Sequence, residues 1–368
     1  MSEKIPWWRP EMGAEEYPLI RQVLESNYVN DGDVTEEFER RIAALLDVRH
    51  AVMVTSGTAA ITAALLALGV QPGDEVIVPD ITFIATANAA VLAGAKPVLA
   101  DVDPHTLNID PEAICRAITP KTRAIVPVHV SGRAADMEAI MAVASAHGLA
   151  VVEDAAEGFV SRHKGKYLGT IGHAGCLSFS PNKTITTGQG GAVLTNDDEL
   201  YVRLREWKDQ GRPVRGTGGD DIHHTVGFNF KFTNLQAAVG LGQLHYLETR
   251  LERARQIYRT YARNLQDLPG FTLPGFDVEG GETPQWTDAL VERRDELDRY
   301  LLSREIHCRR FWFPLHTQAP YRQSDDAFPN STAASRQALW LPSAFSLTDA
   351  QVETVCREIR TCLTGGAA

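Results

Sequence analysis

The hydrophobic pattern of residues 50–195 alternates between short apolar runs and longer stretches with helical periodicity. The apolar runs predict strands, and the intervening stretches carry apolar residues at the spacing of one helix face. This βαβα alternation predicts an α/β fold, a mostly parallel sheet sandwiched by helices. The predicted strands are 51–54, 75–78, 96–100, 123–129 and 149–153. One predicted helix follows the first strand and ends near residue 69, and three others span 82–93, 111–118 and 137–147.

After residue 195 the pattern becomes mixed, and it predicts a second, smaller α+β domain. We predict a large domain over residues 1–245, which includes an N-terminal arm at 1–35, and a small domain over 246–368. The features predicted here are an exposed loop at 211–221, one long amphipathic helix at 234–265, a strand at 286–291, and helices at 295–304 and 349–362.

Composition narrows the class of protein. The 368 residues are 44% hydrophobic and 23% charged, which is typical of a soluble globular chain rather than a disordered or membrane one. The net charge of -11 gives no overall attraction to polyanions, so we expect no nucleic-acid partner. No apolar run is long enough to span a bilayer, so we expect no membrane partner.

The five cysteines are scattered without a Cys-x-x-Cys pair, so the sequence offers no zinc ribbon or redox motif, and we expect no metal. No secretory signal pattern is visible at the start of the chain. Together these observations predict a reducing, cytoplasmic setting.

Three predicted strands end in residues with useful chemistry: Thr55-Ser56-Gly57, His129 and Asp154. In parallel sheets, ligands bind beyond the carboxyl ends of the strands. The turn at 55–58 precedes a helix, where free backbone N–H groups and the helix dipole favour an anion such as phosphate. The same residues would also serve as an ordinary helix N-cap.

The segment 177–191 places Lys183 between hydroxyl and glycine residues. A lysine can form a Schiff base with an aldehyde, and short hydroxyl residues such as Ser178 can bind a phosphate. Taken alone, the segment also fits a solvated surface lysine.

Two further residues complete a ligand. Asp154 could pair with a protonated ring nitrogen, or could simply cap a strand. Phe83 could stack on a flat ring, or could be a core residue. With Ser56, Gly57, Thr58 and Ser178 for a phosphate and Lys183 for an aldehyde, these residues together predict pyridoxal 5′-phosphate (PLP).

These motifs resemble those of the DegT/DnrJ/EryC/StrS type of PLP-dependent sugar aminotransferases, in the aspartate aminotransferase superfamily of fold type I. The resemblance covers nearly the whole chain. The motifs that carry it are TSGTAA at 55–60, GDEVIVP at 73–79, TFIATAN at 82–88, PVH at 127–129, EDAA at 153–156, the lysine segment and GFNF at 227–230.

The resemblance implies a role for each site residue. Lys183 would be the Schiff-base lysine and proton shuttle, and Asp154 would pair with the ring nitrogen. Asn229 would reach the phosphate of the neighbouring subunit, so the protein would be a homodimer with shared active sites. Residues implied to lie near the substrate are Asn30, in the loop 27–32, and His129, Lys231, Arg309 and His316.

Four positions depart from the family pattern. Glu157 stands where an amide or histidine often contacts the ring oxygen, so its carboxylate must be protonated, bridged or turned away. Lys231 replaces a usual arginine, and a point charge does not reproduce a bidentate clamp. Gln189 replaces a more common glutamate, and Ser131 a more common aromatic residue.

The reaction implied is transfer of an amino group from L-glutamate to a nucleotide-linked keto-sugar, with a 4-keto-6-deoxyhexose favoured. The product would be an amino-sugar for glycan, O-antigen or antibiotic biosynthesis. Segments 309–316 and 339–343 look most like perosamine-type synthases. Two alternatives are a PLP-dependent sugar dehydratase of the same family, whose members characteristically lack the lysine, and a non-catalytic regulatory homologue.

Overall fold

The structure is a computed structural model that describes residues 4–212, 223 and 225–365. In this part of the chain the helices are α1 (Glu16–Ser26), α2 (Asp33–Leu45), α3 (Gly57–Ala67), α4 (Ala85–Leu92), α5 (Pro111–Ala117), α6 (Met137–His147), α7 (Asp198–Lys208), α8 (Asn234–Leu244), α9 (Leu247–Leu265), α10 (Arg294–Ser303), α11 (Pro329–Gln337) and α12 (Asp349–Leu363). The strands are β1 (His50–Val54), β2 (Glu75–Pro79), β3 (Lys96–Ala100), β4 (Thr122–Ile125), β5 (Ala150–Asp154), β6 (Arg162–His163), β7 (Lys166–Tyr167), β8 (Ala174–Ser178), β9 (Gly191–Thr195), β10 (Phe271–Thr272), β11 (Asp288–Val291), β12 (Arg309–Arg310) and β13 (Ala338–Trp340).

The large sheet has seven strands in the order β1-β9-β8-β5-β4-β2-β3. The strands β3, β2, β4, β5 and β8 pair in parallel, whereas β9 is antiparallel to both of its neighbours. The predicted mostly parallel sheet is therefore confirmed. Because β1 also runs in the direction of β8, the strand ends at Val54, Pro79, Asp154 and Ser178 face the same edge of the sheet.

Helices cover both faces of this sheet, as the pattern predicted. On one face, α3 and α4 pack their alanines against Val76, Val78 and Val152. On the other, α5 and α6 pack against Ile77 and Ile125. The helix α3 is apolar almost all round and most of its residues are buried, as expected for a helix inside the core. Its burial fixes the position of its N-terminus at the site edge.

A second sheet, with the order β10-β11-β13-β12 and antiparallel throughout, forms the smaller C-terminal unit. Its core joins α9, α10 and α12 through side chains such as Tyr261, Leu301 and Ile359. The predicted small α+β unit is thus present. Near the start of the chain, Ile5 forms a bridge with Ile306 of this unit. The division at residues 245 and 246 stays a prediction.

The single long helix predicted over 234–265 is wrong, because α8 and α9 are separated at His245 and Tyr246. Tyr246 has a non-helical backbone with φ -94° and ψ 0°. Its hydroxyl accepts hydrogen bonds from the backbone N–H groups of Ala14 and Glu15, at 2.9 and 3.2 Å. The break between α8 and α9 therefore places Tyr246 where it binds the free N–H groups at the start of α1. This contact joins residues that are far apart in sequence.

Two other boundaries also differ from the prediction. The helix predicted over 82–93 begins only at Ala85, so Phe83 lies in the loop that follows β2. The strand predicted over 123–129 ends at Ile125, and beyond it Val128 makes an isolated bridge with Asp154. Most of the predicted exposed loop, residues 213–221, lies outside the described residues.

Candidate active site

A cavity of about 400 Å³ lies at the carboxyl edge of the large sheet, beneath the connection between β8 and β9 that carries Lys183. We call it the central cavity. Strand ends form one side of it, and residues from the C-terminal unit form the other. The lining residues used below are Ser56, Gly57, Thr58, Thr82, Phe83, Val128, Asp154, Glu157, Ser178, Asn182, Lys183, Gln189, Trp286, Arg309 and Trp312.

One end of the central cavity is built for an anion. Ser56 is the N-cap of α3, and its hydroxyl accepts a hydrogen bond from the N–H of Ala59 at 3.1 Å. Gly57 follows, and a Cβ added there would lie 3.0 Å from the Cβ of Ser178. The absence of a Cβ at Gly57 thus allows this close approach of the N-terminus of α3 to β8 without crowding Ser178. The free N–H groups of the first turn, with the hydroxyls of Thr58 and Ser178, form a cradle that fits a phosphate.

Asp154 lies at the end of β5 and is almost fully buried. Its carboxylate accepts hydrogen bonds from the Thr86 hydroxyl at 2.8 Å and the Ala156 N–H at 3.2 Å. Burial raises the pKa of Asp154, while these hydrogen bonds oppose the rise. A buried carboxylate with few partners favours a nearby cation, because a positive charge offsets the cost of its desolvation. A protonated ring nitrogen would supply that charge.

The side chain of Lys183 is 10% exposed and lies beside Glu157, with 3.4 Å between Nζ and Oε1. The other oxygen of Glu157 accepts a hydrogen bond from the N–H of Ser131 at 2.8 Å. Burial raises the pKa of Glu157 to about 7, although the charge of Lys183 lowers it. The structure thus shows a contact of Glu157 with Lys183, and the state of Glu157 beside the ring oxygen of PLP stays a prediction. Lys183 also lies 4.8 Å from the ring centroid of Trp286, so an indole face shields its amino group.

Phe83 and Val128 line the central cavity together with Asp154. Phe83 is 56% exposed, so it is a surface ring at the cavity and not the core residue of the alternative interpretation. Val128 is buried and is held by its bridge to Asp154. An aromatic and an aliphatic side chain near one carboxylate can enclose a planar ring.

The structure does not bring His129 to the central cavity, so its predicted contact with substrate is corrected. The side chain is fully buried, and Nδ1 accepts a hydrogen bond from the N–H of Ala135 at 3.1 Å. Nε2 therefore carries the proton and donates to Glu153 at 2.9 Å. Both ring nitrogens are used inside the protein, and His129 is a structural residue behind Asp154.

His316 is corrected for the same reason. It is fully buried and does not line the central cavity. Its Nδ1 lies 2.6 Å from the Asp80 carboxylate at the end of β2, and its ring stacks on Phe328 with centroids 4.8 Å apart. His316 ties the C-terminal unit to the large sheet instead of facing a ligand.

Three other predicted residues lie outside the central cavity of their own chain. Asn30 and Asn229 are exposed, and Asn229 forms a bridge with Asp209. Lys231 forms an ion pair with Asp209, with 2.7 Å between Nζ and Oδ1. Its charge is thus already compensated, which weakens any role in binding an anionic substrate. The role of Asn229 at a neighbouring subunit stays a prediction.

Arg309 lines the central cavity, and its role as a substrate residue stays a prediction. Trp286 and Trp312 were missed by the sequence analysis, although they lie beside it. Trp286 begins the predicted strand 286–291, and nothing in its local pattern distinguishes a tryptophan at a cavity from one in a core. The position of Trp286 at the cavity depends on a tertiary contact, which the periodicity of the sequence does not show.

Among residues 4–212, 223 and 225–365, no group of three or more His, Cys, Asp or Glu side chains is placed to hold a metal ion. Within the same residues, no helix has the length and apolar character needed to cross a membrane.

Comparison with known proteins is consistent with this geometry. Residues 10–360 match the DegT/DnrJ/EryC1/StrS aminotransferase family. The chain is 37% identical to the GDP-perosamine synthase of Escherichia coli O157:H7, over 96% of this chain and 97% of that protein. It is 36% identical to the GDP-perosamine synthase of Caulobacter vibrioides, over 94% and 95% of the two chains. The crystal structure of DesV from S. venezuelae superposes with a TM-score of 0.91 at 34% identity, covering 98% of each chain.

The central cavity offers a matching group for each part of PLP. The cradle at Gly57 and Ser178 fits the phosphate, buried Asp154 fits the ring nitrogen, and Lys183 fits the aldehyde. The sequence match extends over nearly the whole chain, and the fold is that of PLP-dependent fold type I transferases. The chain therefore belongs to the DegT/DnrJ/EryC1/StrS family of PLP-dependent aminotransferases.

Proposed function

We propose that this aminotransferase moves an amino group from L-glutamate to a GDP-linked 4-keto-6-deoxyhexose, as relatives named GDP-perosamine synthase suggest. The observation that supports an active transferase most directly is the convergence of Lys183, Asp154 and the phosphate cradle on one cavity. The amino-sugar product would serve glycan synthesis, such as that of an O-antigen.

When bound, PLP supplies an electron-withdrawing ring next to the reacting carbon of the substrate. The carboxylate of Asp154 would hold the proton of the ring nitrogen, which keeps the ring electron-withdrawing. Lys183 would act as the general acid and base: its Nζ would take a proton from the substrate carbon on one side of the transferred nitrogen and return it to the carbon on the other side. Glu157, 3.4 Å from that Nζ, stabilises its charged state. The indole of Trp286 excludes water on one side of the amino group.

The rival dehydratase and regulatory functions predict different site residues. A dehydratase of this family characteristically lacks the lysine, whereas Lys183 is present and lines the cavity. A regulatory homologue has no need for a buried carboxylate at a ring-nitrogen position, yet Asp154 is present. Both observations favour the aminotransferase.

We further propose that the protein works as a homodimer, with Asn229 reaching the phosphate of the neighbouring subunit. Its exposed position outside its own cavity supports this assignment. We also propose a cytoplasmic setting, which the five free cysteines support.

A panel of keto-sugars tests the proposal. The enzyme is first converted to its pyridoxamine phosphate form with L-glutamate, and GDP-, UDP- and dTDP-linked 4-keto-6-deoxyhexoses are then added separately. We expect the GDP-linked sugar to restore the absorbance of the PLP form fastest. Restoration by another nucleotide sugar alone would refute the assignment to GDP. Failure of every amino acid to generate the pyridoxamine form would instead favour the regulatory homologue.

A further inference from the structure

A second cavity of about 460 Å³ adjoins the central cavity, and we call it the outer cavity. The two cavities share the side chains Thr82, Phe83, Arg309 and Trp312 in their walls. A ligand that extends beyond the reacting centre at Lys183 therefore meets Arg309 before it enters the outer cavity.

Arg309 is held in place by two tryptophans. Its guanidinium carbon lies 4.8 Å from the ring centroid of Trp7 and 5.5 Å from that of Trp340. The backbone of Arg309 pairs with Trp340 where β12 meets β13. An aromatic surface on a guanidinium restricts its motion but leaves its N–H donors unused, so they can still bind an anion.

The charge of Arg309 is not compensated by the protein. In the part of the chain that the structure describes, no carboxylate lies within ion-pair distance of its guanidinium. The adjacent Arg310 differs, because it pairs with Asp295 at 3.3 Å and Asp298 at 3.2 Å. Of these two neighbouring arginines, Arg309 is the one that can give its charge to a ligand.

The walls of the outer cavity are aromatic. Phe83 is 56% exposed and Phe313 is 65% exposed, and both line this cavity together with Trp312. Exposed aromatic faces are suited to stack on a nucleobase, and a guanidinium is suited to bind phosphate oxygens. The combination fits a nucleoside diphosphate.

We propose that Arg309, held by Trp7 and Trp340, binds the diphosphate of the nucleotide-linked substrate, with the nucleoside in the outer cavity. The proposal rests on the proposed function, since it assumes that the keto-sugar is carried on a nucleotide. The sugar then points into the central cavity towards Lys183. The substrate thus enters with its reacting end first.

A carboxylate of L-glutamate is the other anion that Arg309 could bind. Glutamate reacts at Lys183 and needs only the central cavity, whereas the outer cavity has no use in its binding. The position of Arg309 at the boundary of the two cavities therefore favours the diphosphate.

Binding of nucleoside diphosphates to the PLP-loaded enzyme tests this assignment. GDP, UDP and dTDP are titrated by calorimetry into the wild type and into Arg309→Ala, Arg309→Lys and Trp7→Leu. We expect the wild type to bind at least one of them, and the Kd to rise about tenfold or more in Arg309→Ala because a charge-assisted contact is lost. Arg309→Lys should be intermediate, because a lysine keeps the charge but not the planar fork. Trp7→Leu should weaken binding less than Arg309→Ala.

Arg304→Ala is the matched control, since Arg304 also lies over an aromatic ring, that of Tyr300 at 5.3 Å, but lines neither cavity. Its Kd should equal that of the wild type. The conversion of the enzyme by L-glutamate should also be unchanged in Arg304→Ala, and thermal unfolding shows that each variant is folded.

Two results would overturn the proposal. One is that Arg309→Lys and Arg309→Ala leave the Kd for the nucleoside diphosphates unchanged. If these variants instead raise only the KM for L-glutamate, Arg309 would be assigned to the amino donor. The other is a wild type that binds none of the three nucleoside diphosphates. In that second case an intact reaction with L-glutamate would leave the aminotransferase standing, so failure of this proposal is distinguishable from failure of the proposed function.

Discussion

The central cavity has two walls that are built in different ways. The cofactor wall consists of residues 56–58, Asp154, Ser178 and Lys183, which all lie at or after the ends of strands of one sheet. The outer wall consists of Trp286, Arg309 and Trp312, which come from the C-terminal unit. Strand register fixes the first wall, whereas packing between distant segments fixes the second. The comparison teaches that the residues proposed for the chemistry are attached to the rigid sheet, whereas the residues proposed to bind the substrate are attached to a separate unit.

The interactions that hold the two walls also differ. The polar groups of the cofactor wall are half-buried or buried, and the buried Asp154 accepts a hydrogen bond from Thr86. Behind the outer wall, Trp7 contacts Trp286 and Trp340, with ring centroids 5.3 and 6.0 Å apart. Each such aromatic pair contributes about 0.5–1.5 kcal/mol beyond its buried area. Changes in the cofactor wall should therefore reduce turnover, and changes near the outer wall should reduce affinity or stability.

The largest effect is expected for Lys183→Ala in the cofactor wall. The variant loses both the covalent attachment of PLP and the general acid and base, so amino transfer should fall by about 10⁴-fold or more. Borohydride reduction followed by mass spectrometry should find no cofactor attached to the chain. The control Lys166→Ala removes an exposed lysine of β7 and should leave both readouts unchanged. Attachment of PLP to another lysine in Lys183→Ala would contradict the assignment.

Asp154→Asn should give the next largest effect. The amide keeps the hydrogen bond from Thr86 but no longer favours a protonated ring nitrogen, so kcat should fall by about 10³-fold. The variant should still bind PLP, which absorbance of the purified protein checks. Turnover close to that of the wild type would show that the ring does not need this carboxylate.

Much of the cofactor wall could be predicted from the sequence, because Ser56 and Asp154 follow the predicted strands 51–54 and 149–153, and a parallel sheet brings such ends together. Ser178 and Lys183 were predicted from the residue types of the segment 177–191. The outer wall could not be predicted in this way. Trp286 has the pattern of a core residue, and its position beside Lys183 depends on how the C-terminal unit packs.

His129 and His316 show the same limit of prediction from sequence, because they were predicted at the site but lie in the interior. His129 follows a strand and His316 lies in a segment near the substrate, yet both are fully buried. Whether a polar side chain turns inward depends on the partners it meets. Those partners are Glu153 and Asp80, and the local sequence does not reveal them. The same holds for Tyr246, whose contact with α1 ended the predicted long helix.

His316→Phe tests whether His316 is structural. The change keeps a ring against Phe328 and the backbone N–H of residue 316 on one oxygen of Asp80, but it removes the imidazole from the other oxygen of this buried carboxylate. The loss should lower the free energy of unfolding by about 3 kcal/mol. The KM for the keto-sugar should not change. In the double variant with Asp80→Asn, part of the stability should return, because no unpaired charge remains. Unchanged stability with a much higher KM would restore the role of His316 at the substrate.

The smallest effect is expected for Glu157, which lies between the two walls. The effect is a change in the pH dependence of stability. Its pKa is about 7 in the folded protein, against 4.5 for an ordinary glutamate. The folded state therefore holds this proton more tightly than the unfolded state does. At low pH the protonated carboxyl of Glu157 stabilises the folded wild type relative to the unfolded state. This contribution to the free energy of unfolding is lost as pH rises from 4.5 to 7.

Glu157→Gln removes this titration. With the cofactor removed, the stability of the variant relative to the wild type should increase between pH 4.5 and pH 8 by about 2–3 kcal/mol, because each pKa unit corresponds to about 1.4 kcal/mol. Urea unfolding at several pH values measures it. Glu138→Gln is a control in which the effect has the opposite sign. The hydrogen bond from Lys164 lowers the pKa of this exposed glutamate, so its charged form stabilises the folded wild type. The stability of Glu138→Gln relative to the wild type should therefore fall slightly as pH rises. If the curves of Glu157→Gln and the wild type run parallel, Glu157 keeps its charge in the folded protein, and its bridge to Lys183 is a full ion pair at every pH above 4.5.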